Sequence, residues 1–299
     1  MAYEYYAELV RDDLPEKLPG GLEWTRMADH CTVAFAKNSA DAKQQARIRE
    51  RYTKGTNDKN TTTTSIENLH LPDRLKLDRA PPFVSDRWLL LNVEFTLLTP
   101  WYSKDDRPFH VLDNPVRKDR VFGVPFMAAA SWKGLLRWAC RMEAGLLHYL
   151  EKHGGRMDGW EEPDWIVHLF GNERGDGEEF SRGALQFFPT WFDRIGFEVI
   201  NPHSREKKAG TQPIVYEVVP AGTQGLLRLL YAPAPGRVAP PETMTKLIRA
   251  IEKLLTIYGF SAKRTGGWGL AEIQSWSVNG RRVEDIHAWA RDPSAKREG

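Results

Sequence analysis

The sequence predicts an α+β protein with a ferredoxin-like (RRM-like) βαββαβ core, long loop insertions and an N-terminal extension. Two observations support this fold class. Two stretches of helical length carry apolar residues at three- and four-residue steps, and short apolar runs typical of strands stand before, between and after them. We divide the chain into a charged, partly disordered extension at 1–86, the core domain at 87–280 and a C-terminal tail at 281–299.

The two predicted helices have clear amphipathic patterns and clear ends. The first carries an apolar stripe from Trp132 to Leu150, and the second has Pro241 in its first turn and Gly259 as its stop. A short helix, DWIVHLF, ends at Gly171, and a strand at 214–219 lies in a basic insertion. The core elements expected in chain order are a strand at 87–98, a helix from Ala129 or Ser131 to Leu150, strands at 184–188 and 226–231, a helix at 240–258 and a strand at 270–278.

The extension differs from the core because it is charged and poorly periodic. It contains one predicted helix at 40–52, for which Ser39 is a candidate cap and which has little apolar face. The polar run GTNDKNTTTTS at 55–65 cannot bury enough surface to order itself, and we expect it to be mobile. The extension either wraps a partner or fills a gap in an assembly, or it is a flexible leader without a role.

Composition and charge exclude several classes of protein. A formal net charge of +2 is too mild to indicate nucleic-acid binding, so such a site would need local clusters of the 42 Lys and Arg residues. Cys31 and Cys140 form no CxxC pair, which argues against a zinc site or a disulfide scaffold and favours the reducing cytoplasm. No apolar run approaches the roughly 18 residues that span a bilayer, so we expect no membrane partner.

A long charged loop joins the first strand to the first helix. Loops longer than about 12–15 residues are uncommon in compact domains and are usually functional or disordered, and we expect this one to be functional. A carboxylate among cations stays ionised and can act as a base, a metal ligand or a salt-bridge partner. The ionisable residues of the loop include Asp105, Asp106, Arg107, His110, Asp113, Arg117, Lys118, Asp119 and Arg120.

Two further features carry clustered positive charge. Lys133, Arg137 and Arg141 fall four residues apart on the first helix, so they form a row that suits a phosphate backbone, although such rows are more often solvated faces. The turn GFSAKRTGGWG at 259–269 combines flexible glycines with Lys263 and Arg264, and its N–H groups can form an anion nest. The alternative for this turn is a tight bend with exposed cations. The glycines concerned are Gly259, Gly266, Gly267 and Gly269.

The chain resembles a known family over 88–278. The motifs LTP, LDNPV, SWKGLLR, LFGNERG, EVVPAGTQ and GFSAKRTGGWGLAEI together are similar to those of the RAMP superfamily of type III CRISPR effector proteins. The resemblance implies a ferredoxin-like fold, guide-RNA binding and stacking into the backbone of an antiviral ribonucleoprotein. One departure is the segment VPFMAAASWK, which ends at Lys133. It is longer than the segment that precedes the corresponding lysine in the family, and it lacks the glycine found there. Lys133, Gly134 and Arg137 still match.

The resemblance also implies a catalytic aspartate in members that cut target RNA. Asp113 in LDNPV matches the Asp-x-Pro context of that residue. In this interpretation Asp113 acts as a base or as a ligand of a divalent metal, Mg²⁺ or Mn²⁺, and His110 or a nearby cation assists. The alternative is that Asp113 caps the turn before Pro115.

Three functions follow as hypotheses. The first is a guide-RNA-binding subunit that cleaves complementary single-stranded target RNA as a metal-dependent endoribonuclease; the second is a non-catalytic architectural or end-capping subunit of the same complex. The third is a ribonuclease that processes guide RNA, with His203 in the basic HSREKK segment. The expected partners are guide CRISPR RNA, target RNA and other effector subunits. The expected RNA-binding residues are Lys133, Arg137, Arg141, Arg117, Lys118, Gly259, Lys263, Arg264, Gly266, Gly267 and Gly269.

Overall fold

The computed structural model describes residues 31–54, 87–106, 110–119, 123–172, 181–201 and 213–292. The polar run at 55–65, His203 and the residues after 292 lie outside this range. The described elements, in chain order, are α1 (Ala42–Lys54), β1 (Leu89–Leu97), β2 (Phe126–Met127), α2 (Ala129–Glu143), α3 (Leu146–Lys152), α4 (Asp164–Phe170), β3 (Leu185–Phe187), β4 (Thr190–Trp191), β5 (Gly196–Ile200), β6 (Ile214–Val218), β7 (Gln224–Tyr231), α5 (Thr243–Lys253), β8 (Ala271–Val278), β9 (Arg281–Arg282) and α6 (Ile286–Arg291).

The main sheet has β1 at its centre. Its strand order is β3-β7-β1-β8-β9, and every neighbouring pair is antiparallel. Alternate residues of β1, among them Leu91, Val93 and Phe95, point to one face and are buried. The registers Leu91↔Leu229 and Val93↔Leu227 continue this apolar face into β7. The structure is thus a mixed α/β fold built on an antiparallel sheet.

Helices α2 and α5 supply the other half of the main core. Trp132 and Leu136 of α2 and Leu247 and Ile251 of α5 are buried in one cluster with the apolar residues of β1. Burying apolar side chains of this size stabilises the fold by about 1.5–3 kcal/mol each. The two helices and the sheet therefore position the loop that follows β1 and the turn that precedes β8.

Several element ends differ from the sequence-based expectation. The first helix ends at Glu143 because Gly145 adopts a positive φ of 96°, so Leu146 belongs to a separate helix, α3. Helix α1 is capped by Asp41, whose Oδ1 accepts hydrogen bonds from the backbone N–H groups of Lys43 (3.0 Å) and Gln44 (3.1 Å), and not by Ser39. The strand β5 was not predicted from the sequence.

The two ends of the chain also depart from expectation. Ile48 and Tyr52 of α1 are buried in a second core with Val111, Leu112 and Ile195, so this helix of the extension has a real apolar face. Near the other end, β9 joins the main sheet, and α6 buries Trp289 in the main core. Residues 281–292 are therefore part of the fold and not a free tail.

Two small antiparallel pairs complete the architecture. Strands β5 and β6 pair from Gly196↔Val218 to Ile200↔Ile214, and β2 pairs with β4. Among the described residues no helix is both long enough and apolar enough to cross a membrane.

Candidate nucleic-acid interface

The loop after β1 and the glycine-rich turn before β8 form one structural unit. Although they lie far apart in sequence, they are joined by backbone and side-chain hydrogen bonds, so the LTP and GFSAKRTGGWG motifs meet in space. The hydrogen bonds run from Gly269 N to Pro100 O (2.9 Å), from Ala262 N to Tyr102 O (2.8 Å), from Trp101 Nε1 to Phe260 O (3.1 Å) and from Tyr102 N to Ser261 Oγ (3.0 Å).

The glycines of this turn have two different roles. Gly259 and Gly269 have φ values of 72° and 82°, and a Cβ on Gly269 would lie 2.5 Å from the backbone nitrogen of Ser261. These two glycines therefore permit the close approach of backbone segments at the base of the turn. Gly266 and Gly267 lie at the tip, where a Cβ would meet nothing within 4 Å. Only the tip leaves room for another molecule, and RNA binding by these glycines stays a prediction.

The two cations of the turn rest on aromatic rings. Lys263 Nζ lies 4.9 Å from the ring centroid of Tyr216, and Arg264 Cζ lies 4.1 Å from that of Trp138. Within the described part of the chain, neither side chain forms an ion pair with a carboxylate. Among the described residues, both positive charges are thus fixed in position and have no carboxylate partner, and we call them uncompensated in this sense.

The row of cations on α2 is divided. Arg137 and Arg141 both donate to the carboxylate of Glu162, and Arg137 Nη2 also donates to the Gly171 carbonyl (3.2 Å). Burial raises the pKa of Glu162, but hydrogen bonds from the two guanidinium groups outweigh this and lower it overall. Lys133 is exposed. Two of the three side chains predicted to bind RNA are thus held by one carboxylate, which cancels one of their two charges.

A buried carboxylate organises the loop that carries the predicted catalytic residues. Glu217 of β6 is fully buried and accepts hydrogen bonds from Tyr52 Oη (2.7 Å), Val116 N (3.0 Å) and Lys118 Nζ. Burial raises its pKa, but the charge of Lys118 and the hydrogen bonds from Lys118 and Tyr52 together lower it overall. Lys118 is only 6 % exposed, so its predicted contact with RNA is not available in this structure.

His110 belongs to the same buried cluster. Its Nδ1 accepts a hydrogen bond from Leu112 N (3.0 Å), and its Nε2 lies 3.4 Å from Tyr52 Oη. Burial, together with the positive charge of Lys118, lowers the pKa of His110 to about 4. The imidazole is therefore neutral at physiological pH and faces inward, which leaves it no path to assist at an external phosphate.

Asp113 and His110 have different surroundings, because Asp113 is exposed and His110 is buried. Its side chain is 78 % exposed and forms an ion pair with Arg49 of α1, with Nη2 3.2 Å from Oδ1. Arg49 is itself held by a hydrogen bond from Nε to Val111 O (3.1 Å). The second predicted cation of this loop, Arg117, lies over the ring of Phe126 at 5.7 Å.

The surroundings of Asp113 do not fit a divalent metal. No group of three or more His, Cys, Asp or Glu residues that could hold a metal occurs in the described ranges. A single carboxylate that already accepts from a guanidinium offers too few free oxygen ligands for Mg²⁺ or Mn²⁺. No catalytic step through a metal follows from these residues.

Two aromatic residues of the loop pack inside the domain. Trp101 and Tyr102 are 1 % and 3 % exposed, so they are not available to stack on bases. Phe109 and Phe122, with Arg107, Arg120 and His203, lie outside the described residues.

Several residues of the site were missed in the sequence. Glu217 had a detectable signal, because a charged residue in the apolar run IVYEVV is either on the solvent face of a strand or paired inside. Nothing in the sequence indicated a role for Arg49 and Tyr52, because the predicted helix that contains them has little apolar face. Trp138 and Tyr216 looked like ordinary packing residues.

The fold and surface define an α+β protein with a glycine-rich turn that carries two uncompensated cations. The family model of the RAMP superfamily matches residues 94–272, which is more than half of the chain. The protein therefore belongs to the RAMP superfamily, and the resemblance seen in the sequence is confirmed.

Comparison with solved structures finds a similar chain under the description "Cryo-EM structure of the Type III-B Cmr-beta bound to cognate target RNA". The two chains share 15 % identity and a TM-score of 0.49, over 91 % of this chain and 96 % of that chain. No curated protein matches the sequence.

Replacing the buried carboxylate tests its role in the loop. We expect Glu217→Ala to lower the free energy of unfolding by roughly 3–5 kcal/mol, because it leaves the Lys118 ammonium buried without its partner. The double variant Glu217→Leu, Lys118→Met should recover much of this loss, since no charge then remains inside. Urea unfolding followed by circular dichroism measures both, and a loss below about 1 kcal/mol in the single variant would contradict the assignment.

His110 predicts a pH dependence of stability. An ordinary histidine takes up a proton near pH 6.5, whereas folded His110 does so only near pH 4. The unfolded state therefore binds more protons between these values, and stability should fall by up to about 3 kcal/mol as the pH drops from 6.5 to 4. Above pH 6.5 this contribution is constant.

The matched variants are His110→Asn, which keeps an acceptor for Leu112 N, and His148→Asn at an exposed site. Urea unfolding at several pH values should show a flatter profile for His110→Asn and an unchanged profile for His148→Asn. Parallel profiles for wild type and His110→Asn would show that His110 is not the group concerned.

Proposed function

We propose that this protein is a guide-RNA-binding subunit of a type III CRISPR antiviral ribonucleoprotein, which acts in the cytoplasm with target single-stranded RNA and other effector subunits as partners. The observation that carries the proposal is the glycine-rich turn, where two uncompensated cations flank an open glycine tip. Uncompensated cations beside accessible backbone N–H groups are the recurring solution for phosphate binding. Membership of the RAMP superfamily supports the same proposal.

The proposal includes a ferredoxin-like core. The elements β1, α2, β3, β7, α5 and β8 follow one another as βαββαβ, and the strand order β3-β7-β1-β8 supports this assignment. The turn before β8 and the loop after β1 leave this core at the same end, which is why they form one surface.

The surroundings of Asp113 favour an architectural role over cleavage. Its carboxylate is paired with Arg49, its predicted helper His110 is buried and neutral, and the described residues offer no metal group. A helper in proton transfer needs access to the reacting proton, and the buried His110 has none. We propose that the loop shapes the path of the RNA. Cleavage by Asp113 is the second candidate, because this carboxylate is exposed at the loop surface.

RNA binding at the turn is tested by removing its two cations. We expect Lys263→Ala, Arg264→Ala to weaken binding of fluorescein-labelled polyuridine and to lower the slope of log K against log salt by about 0.7 per lost phosphate contact. The matched control is Arg281→Ala, Arg282→Ala, which removes two consecutive exposed cations on β9. Equal slopes for both double variants, measured by fluorescence anisotropy, would argue against the turn as the RNA site.

The role of Asp113 is tested in the complex assembled with guide RNA and neighbouring subunits. If the loop is architectural, Asp113→Ala should leave both target binding and the pattern of cuts unchanged in Mg²⁺ or Mn²⁺. Loss of cuts with binding retained would instead establish the cleavage function. Arg49→Ala is the control, because it breaks the same ion pair and keeps the carboxylate.

A further inference from the structure

The cations of this protein are held in two physically different ways. Lys118 is paired with Glu217, and Arg137 and Arg141 share Glu162, so carboxylates fix these three side chains and also cancel two of their three charges. An aromatic ring, in contrast, attracts a cation through its quadrupole and carries no net charge. A ring therefore fixes the position of a cation and leaves its charge available to an anion.

Arg264 is held in this second way by α2. Its Cζ lies 4.1 Å from the ring centroid of Trp138, which is close for a stacked guanidinium. Trp138 is supported in turn by Tyr258, whose ring meets it edge-on at 5.0 Å and 75°. Arg264 is half-buried, and its Nη1 is a buried atom without a hydrogen-bond partner in the described part of the chain. The guanidinium thus has a fixed place and no counter-charge there.

Lys263 is held by a different element, the strand β6. Its Nζ lies 4.9 Å from the ring centroid of Tyr216, and its backbone nitrogen donates to Ser261 Oγ (3.2 Å). The Tyr216 side chain is itself packed edge-on against Tyr102 (5.1 Å, 88°) and Trp268 (5.8 Å, 84°). Consecutive residues of one turn are therefore held on rings from two separate parts of the fold.

We infer that Trp138 and Tyr216 are positioning residues for RNA, which hold Arg264 and Lys263 as two fixed, uncompensated charges for phosphates of a single-stranded backbone. This inference rests on the proposed RNA-binding function of the glycine-rich turn. Long cationic side chains lose rotamer freedom when they bind a phosphate, and a side chain already held on a ring loses less of it. The rings thereby strengthen binding without touching the RNA.

The test compares variants that remove a ring with variants that remove a charge. We expect Trp138→Leu and Tyr216→Leu in the full chain each to weaken binding of fluorescein-labelled polyuridine by about two- to fivefold. The slope against log salt should stay close to that of wild type, because both cations are still present. Trp138→Phe and Tyr216→Phe keep a ring and should restore most of the affinity for RNA. This rescue is expected only if the ring itself positions the cation.

Phe187→Leu is the matched control, because Phe187 is a half-buried aromatic residue that packs on the same core beside Phe170. An equal loss of RNA affinity in this variant would overturn the inference, since general loosening of the core would then explain the result. Urea unfolding of each variant establishes that it is folded. If Tyr216→Leu does not fold, Trp138→Leu decides alone, because Trp138 is only half-buried.

The outcomes separate the inference from the proposed function. If the leucine variants bind polyuridine as wild type does, while Lys263→Ala, Arg264→Ala binds weakly, the rings only pack and the positioning role is overturned. If the charge variant also binds as wild type does, the turn is not the RNA site and the proposed function fails as well. Weak binding by the leucine variants with rescue by phenylalanine supports both.

Discussion

The buried carboxylate of Glu217 is the interaction on which the arrangement of this surface depends. It accepts hydrogen bonds from Tyr52 of α1 and from Val116 and Lys118 of the long loop, and so it joins α1, the loop and its own strand β6. A carboxylate inside a protein is tolerated only when its lone pairs are satisfied and its charge is balanced. Because α1 and the loop together meet those conditions for a residue of β6, the three segments are held together. The position of Asp113 depends on these hydrogen bonds, because Asp113 lies close in sequence to Val116, which donates to Glu217.

The same surface shows why the count of basic residues is a poor guide to nucleic-acid binding. Ten Lys and Arg residues stand in the loop, the first helix and the turn, yet the carboxylates of Glu162 and Glu217 bind three of those predicted to touch RNA and cancel two of their three charges. What matters is the counter-charge of each cation, and that depends on tertiary contacts. The glycine-rich turn combines two consecutive cations that lie on rings with a base that is closed by Gly259 and Gly269.

Much of the fold was predictable from local signals. The helix Asp164–Phe170 was predicted with its observed bounds, since Pro163 precedes it and Gly171 stops it, and the apolar run of β1 left little choice. The end of α2 was not predictable from periodicity, because apolar residues continue beyond Gly145 at helical spacing. The strand at 270–278 was predicted from its apolar run, whereas β9, which pairs with it at the edge of the sheet, was not predicted.

The candidate site was predictable in its parts and not in its assembly. The loop after β1 and the glycine-rich turn were both singled out, but nothing local indicates that Trp101 donates to Phe260, 159 positions away. Likewise, Lys118 looked like a surface cation because its partner Glu217 lies 99 positions further on. Pairings at such separations depend on the whole fold, and sequence patterns within one element do not encode them.

The packing of α1 against the site has a consequence for how the chain acquires its structure. Tyr52 and its acceptor Glu217 are 165 positions apart, so the helix is synthesised long before its binding partner in the strand exists. Contacts of such sequence separation close late and slow folding, because the loop entropy is lost before the contact forms. Until β6 emerges from the ribosome, Tyr52 lacks the carboxylate to which it donates in the folded chain. The junction of α1, the loop and β6 therefore forms only after residue 217 has been synthesised.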